Sequence, residues 1–286
     1  MKRRSVITVV FVGLVALLLL IWQQNSGYQR IRRLLGQADP LKALQAYDAI
    51  AMMNPTPLEE LLSVLKHGNA GERYGVLAVF ERMPSKAEPA IPEVISALSD
   101  SSPTVRRGAA ACLAEFGLKA KHALPRLEIT LHDSDSGVAF ESAIACWRIT
   151  GDSTTASAMI TNVMPSLTNT DLEWAIKLLG QMGEQAQPAA PTLEQMLKNS
   201  RRNIRFAACE ALAMVDSRKT GWIVSVVELI RQDKYYSSVG VALLARHAPT
   251  SMQAMATLSA LEHDPDPRLQ RLASDAVKAI NAAGDK

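Results

Sequence analysis

At 286 residues, with 48% hydrophobic but only 5% aromatic side chains, the chain has the material for one large or two ordinary domains whose core is Ala, Leu, Val and Ile. Such a core suits close helix packing better than a sheet sandwich. The net charge of +3 comes from the first 38 residues, which hold six basic side chains (Lys2, Arg3, Arg4, Arg30, Arg32, Arg33) and no acid. The remainder carries 25 basic against 28 acidic residues, so the body lacks the cationic excess with which a nucleic-acid binder displaces counterions.

The chain opens on Lys2-Arg3-Arg4, followed by an uncharged apolar run from Val6 to Trp22. Seventeen helical residues rise about 25 Å, enough to cross a hydrocarbon core. The run ends in "IWQQNSGYQR", without a clear small-x-small cleavage site, and Trp22 suits an interfacial anchor. The expectation is a retained signal anchor over 1–24, with a cleaved signal peptide as the alternative. No cysteine follows the run, which excludes a lipoprotein. The basic residues abutting the run favour a cytoplasmic amino end and an extracytoplasmic body, periplasmic or elsewhere in the cell envelope. Residues 25–56 then read as a juxtamembrane helix and linker, closed by Pro55 and Pro57.

From 57 onward the sequence repeats with a period of 33. Pro92, Pro125 and Pro191 keep phase, as do Arg73, Arg106, Arg205 and Arg271, and the series Leu65, Leu98, Leu131, Met164, Leu197 and Ile230. Each unit reads as two helices. Proline opens the first, where its missing N–H costs nothing, and apolar residues follow at helical spacing, as in Ile91, Val94, Ile95 and Leu98. A polar break ("SDSSPT", "HDSDSG", "KNSRRN" or "HDPDPR") leads into the second helix, which ends on a glycine such as Gly117, Gly151 or Gly183. Units are expected near 57–89, 90–122, 123–157, 158–188, 189–221, 222–253 and 254–284. A lone hairpin cannot cover its apolar face, so neighbours must stack.

The stretch His132-Asp133-Ser134-Asp135 could pass for a metal or acid–base site. It aligns, however, with Ser99-Asp100 and Lys198-Asn199, so the shared element is Asp or Asn in a turn, whose oxygens suit the free N–H groups opening the next helix. No phosphate loop, HExxH or GxSxG occurs, and no cofactor or metal is expected. Cys112, Cys146 and Cys209, an odd number amid small apolar residues, read as buried free thiols.

The units "ALSDSSPTVRRGAAACLAEFG" and "QMLKNSRRNIRFAACEALAMV" resemble the HEAT-repeat family, particularly its short bacterial type, over about 57–284. The resemblance implies an all-α solenoid of about seven two-helix repeats spanning 57–286, with an Asp in each turn and an Arg early in each second helix linking units. Asp100/Arg106 match that pattern; Asn199/Arg205 match it with an amide, and Arg271 keeps the arginine. The third unit keeps Asp133 but has Ala139 at the arginine position, and the fourth and sixth have Leu172 and Ser238.

On a helical wheel, Val105, Ala109, Cys112, Leu113 and Phe116 share the core face. The opposite stripe, shifted by whole periods, collects Arg107, Phe140, Trp147, Glu173, Arg202, Phe206, Tyr235 and Arg246. Aromatics and arginines are favoured interface residues, and the family places second helices on the concave side. The stripe is therefore the expected partner-binding surface, unless neighbouring helices bury its rings. The functional expectation is a non-catalytic scaffold that binds another protein, tethered to the membrane through 6–22. The alternatives are a bilin-lyase-type enzyme or ligand carrier, as in some HEAT-like bacterial proteins, and a secreted, untethered binder.

Overall fold

The computed structural model describes residues 27–37, 39–216 and 218–284. The apolar run 6–22 and the expected anchor lie outside them. Among the described residues every regular element is helical, and no helix is long and apolar enough to cross a membrane. The chain divides at Asp152/Ser153 into two compact units.

Unit 1 begins with α1 (27–35) and α2 (Pro40–Ala51), followed by three hairpins. These pair α3 (Leu58–His67) with α4 (Ala70–Arg82), α6 (Ile91–Ala97) with α7 (Pro103–Phe116), and α8 (Leu124–Thr130) with α9 (Ser136–Thr150). The short α5 (Pro84–Ala87) and two 3₁₀ segments, Glu88–Ala90 and Gly117–Ala123, bridge them. The 27–51 region is more than a linker. Ile31, Leu35 and Ile50 are buried, α2 packs on α4, and Arg32 donates from Nε to Glu72 at 2.9 Å.

Unit 2 contains four hairpins. They pair α10 (Ser153–Val163) with α11 (Asn169–Met182), α12 (Ala190–Met196) with α13 (Arg202–Val215), α14 (Gly221–Gln232) with α15 (Lys234–His247), and α16 (Met252–Leu261) with α17 (Pro267–Gly284). The repeat period thus marks the hairpins that form. Pro92, Pro125 and Pro191 each occupy the first turn of their helices, where no intrahelical bond is lost.

Termination follows the sequence as well. Gly117, Gly151 and Gly183 close α7, α9 and α11 at φ of 54°, 74° and 61°, a region where a Cβ is strained.

Second helices pack side by side within each unit, α4 on α7, α7 on α9 and α11 on α13. Small residues permit this approach. A Cβ added to Gly180 would lie 3.1 Å from the Ala211 Cα, so α11 and α13 meet backbone to backbone. The same packing buries more of each helix than one wheel face. In α7, Val105, Ala109, Cys112, Leu113 and Phe116 are buried as expected, but so are Gly108, Ala110 and Ala114.

Candidate partner-binding face

The inter-helix turns share one geometry. The Oδ1 of Asp100 accepts the Ser102 amide at 2.8 Å, that of Asp133 the Asp135 amide at 2.9 Å, that of Asn199 the Arg201 amide at 3.0 Å, and that of Asp264 the Asp266 amide at 3.0 Å. Asp135 then caps α9 by accepting the Val138 amide at 3.0 Å. The His132–Asp135 stretch is therefore a capping turn, and among the described residues no His, Cys, Asp and Glu side chains converge as a metal-holding cluster.

The arginine ladder runs forward, from each second helix to the turn of the next hairpin. Arg73 donates to both Asp100 oxygens at 2.8 and 2.7 Å, and Arg106 to both Asp133 oxygens at 2.7 Å. The third guanidinium nitrogen turns back to a carbonyl of its own turn: Gly68 for Arg73 and Asp100 for Arg106. Asp100 and Arg106 thus meet through the Asp100 backbone, while the Asp100 carboxylate belongs to Arg73. The hydrogen bonds of Arg106 hold Asp133 below the usual carboxylate range despite burial. Burial would raise Asp100, but Arg73 and the Ser102 amide outweigh it and leave that group lowered too. Further on the ladder thins. Arg205 keeps only the backward half, to the Asn199 and Ser200 carbonyls at 2.8 and 3.2 Å, and Arg271 makes no ion pair among the described residues.

In unit 1 the second-helix face is a mosaic of ion pairs. On α4, Glu72 pairs with Arg32, Arg73 with Asp100 and Arg82 with Asp48. On α7 and α9, Arg106 pairs with Asp133, Arg107 with Glu141 and Arg148 with Glu115. Glu81 stands apart, half-buried and with no hydrogen bond or ion pair to any described residue. Burial, opposed by Arg82 and reinforced by Glu141 and Glu115, pushes its carboxyl up to about 7.

The expected stripe fails here in one respect. Phe140 is fully buried, so it is a core ring and not a contact for a partner. Lateral packing of α9 against α7 covers positions that a single-helix wheel assigns to solvent. Trp147 and Arg107 are half-buried.

In unit 2 more of the stripe is accessible. Arg202 and Arg246 are exposed, Glu173 and Phe206 are half-buried, and Tyr235 is 72% exposed. Two neighbours that the wheel omitted belong here, buried Tyr236 as a support and Trp174 as surface. Tyr236 stacks its ring 5.2 Å from that of Phe206 and stands edge-on to Tyr235 at 5.1 Å, linking α13 to α15. Trp174 is 44% exposed, beside Glu173. A shallow groove of about 350 Å³ lies between Trp174, Lys177, Arg201 and Asn203. Glu173 is held below its ordinary range by hydrogen bonds from Lys177 and Asn203, and Arg202 reaches Asp233 at 3.1 Å. The sequence signal for Trp174 was present: a large aromatic one residue from a stripe position.

The three cysteines are free and buried, and burial pushes the Cys146 thiol to about 11 and the Cys209 thiol to about 12. Neither is a nucleophile near neutral pH.

Residues 58–148, the three hairpins of unit 1, match the family model for HEAT repeats. That stretch is thus similar to HEAT repeats over about a third of the chain. Both complete rungs of the ladder lie inside it. No curated protein matches the chain. Among solved structures, it is similar to the complex of CpcE and CpcF of phycocyanin lyase from Nostoc sp. PCC7120. That match has 19% identity and a TM-score of 0.47, covering 76% of this chain and 94% of the other. It is also similar to an engineered protein, at 19% identity and a TM-score of 0.48, covering 88% of this chain and 77% of the other.

Proposed function

We propose that the chain is a non-catalytic scaffold that binds another protein along its second helices and is tethered to a membrane through residues 6–22. The observation that carries this reading is the exposed aromatic and cationic surface of unit 2. Trp174 and Tyr235 keep 44% and 72% of their surface in solvent, on helices whose other large apolar side chains are mostly buried. Rigid aromatic rings beside arginine and lysine are the side chains that contribute most at protein interfaces. Stacked repeats hold such rings on a fixed backbone, so little ordering entropy opposes binding. A membrane tether would raise the local concentration of partners in the same membrane. The extracytoplasmic side remains the favoured location of the repeats, from the basic residues that precede the apolar run.

Photo-crosslinking in native membranes tests this. A benzophenone side chain at Tyr235 is expected to capture a defined protein, whereas one at the still more solvent-exposed Met252 captures none. The same adducts from both positions, or none from Tyr235, would overturn the reading. Alkaline extraction is expected to leave the chain in the membrane fraction, and release would remove the tether.

A further inference from the structure

In unit 1 the charged side chains of α4, α7 and α9 each have an ion-pair partner, on these helices, on α1 and α2 or in the turns, with a single omission, Glu81. That omission borders a groove of about 460 Å³ between α4, α7 and the start of α9. Tyr74, with 38% of its surface exposed, lines the groove, and Arg107 crosses it to reach Glu141 at 3.3 Å. Asp135, the cap of α9, also borders it. Ionised Glu81, Asp135 and Glu141 against Arg107 leave the groove net negative. An unpaired carboxylate withdrawn from water is costly to keep ionised, and a cation brought to it removes the cost.

The occupant that fits is a long side chain with a terminal charge. The carboxylates here do not converge as metal ligands among the described residues. An arginine has the reach to enter from outside, a planar fork for Glu81, and a flat face for the Tyr74 ring. We propose that the α4–α7 groove receives an arginine side chain of the protein partner, with Glu81 as its counter-ion and Tyr74 as the ring it lies against. This rests on the scaffold reading and specifies part of the partner's chemistry.

Binding at such a site is linked to protons. The groups around Glu81 are Arg82 and Tyr74 on its own helix, with Arg82 also held by Asp48 of α2; Arg107, Cys112 and Glu115 from α7; and Glu141 from α9. Lys86 of α5 is turned away, to the Ala51 carbonyl. With the free carboxyl titrating at about 7, an arginine that binds only the ionised form is held about tenfold more weakly at pH 6 than at pH 8.

The test uses the full chain in detergent micelles with Glu carboxyl carbons labelled with ¹³C. The probes are two nine-residue Gly/Ser peptides, one with a central arginine and one with citrulline, which keeps the shape and loses the charge. The arginine peptide is expected to shift the Glu81 carboxyl resonance, lower its titration midpoint, and bind about tenfold more tightly at pH 8 than at pH 6. The citrulline peptide should do none of this, and Glu81→Gln should abolish the pH dependence. Equal binding of the two peptides, no binding of either, or pH dependence that survives Glu81→Gln would overturn the proposal. Because the peptide comparison uses the unaltered protein, a variant that folds poorly leaves it decisive. Crosslinking from Tyr235 does not involve Glu81, so a partner captured there while the groove ignores arginine would sink this inference alone.

Discussion

Arg106 holds the two oxygens of Asp133, 27 residues further along the chain, at 2.7 Å each, while its remaining nitrogen takes the Asp100 carbonyl at 2.9 Å. One guanidinium therefore fastens α7 to its own turn and to the next. Both side chains are largely shielded, at 14% and 10% exposure, so solvent screening is limited. Arg106→Ala is expected to cost about 2–3 kcal/mol, since it strands a carboxylate and a carbonyl together. Arg106→Lys should recover less than half, because a point charge cannot span both oxygens. The Asp133 carboxyl is lowered in the folded state, so its contribution is complete above the unfolded carboxylate range near 4 and vanishes as pH falls through the folded value. Urea unfolding at pH 7 and pH 3 checks both points, with the wild-type advantage shrinking at the lower pH.

Phe140 and Tyr235 belong to one stripe on paper and to opposite environments in the molecule. Phe140 is fully buried, and Phe140→Ala should destabilise by about 3–5 kcal/mol through the cavity it leaves. Tyr235, at 72% exposure, should cost less than about 1 kcal/mol when cut to alanine, with partner capture reduced instead. Thermal melts of the two variants separate the roles, and a stable Phe140→Ala protein would contradict the core assignment.

Glu81 makes stability depend on pH in the reverse sense from Asp133. Its folded carboxyl sits at about 7, above the unfolded value, so the contribution it makes is complete below about 4.3 and is lost as pH rises to 7. Glu81→Gln removes that loss. The variant should match the wild type near pH 4.5 and exceed it at pH 8, by up to about 3 kcal/mol, in denaturant titrations at the two pH values.

The hairpins were legible because their signals are local. Proline at a first turn, an Asx side chain in the break and a glycine at the close each act within a few residues, so a period of 33 carries them into the fold unchanged. Burial around the second helices was less legible. A wheel assigns one core to one helix, but α7 has neighbours on both flanks, and flank positions such as Phe140 on α9 are covered by packing that no single helix reveals. The direction of the ladder was hidden for a similar reason: Asp100 and Arg106 are close in sequence, yet Asp100 answers to Arg73. Residues 27–51 open α2 with Asp39 and Pro40 but lie outside the 33-residue period, and their place in unit 1 shows only in the packing of Ile31, Leu35 and Ile50 and in the Arg32–Glu72 pair. Glu81 left no pattern at all, since its character comes from ion pairs that its neighbours complete without it.

The sealed sulfhydryls bear on where this polypeptide can be made. A scaffold braced by disulfide bonds would need an oxidising compartment to mature. Here Cys112, Cys146 and Cys209 serve as small apolar filler, raised in pKa and shut away from oxidants by the helices around them. The architecture consequently tolerates either redox climate and can reach its final form on whichever side of a bilayer the chain emerges.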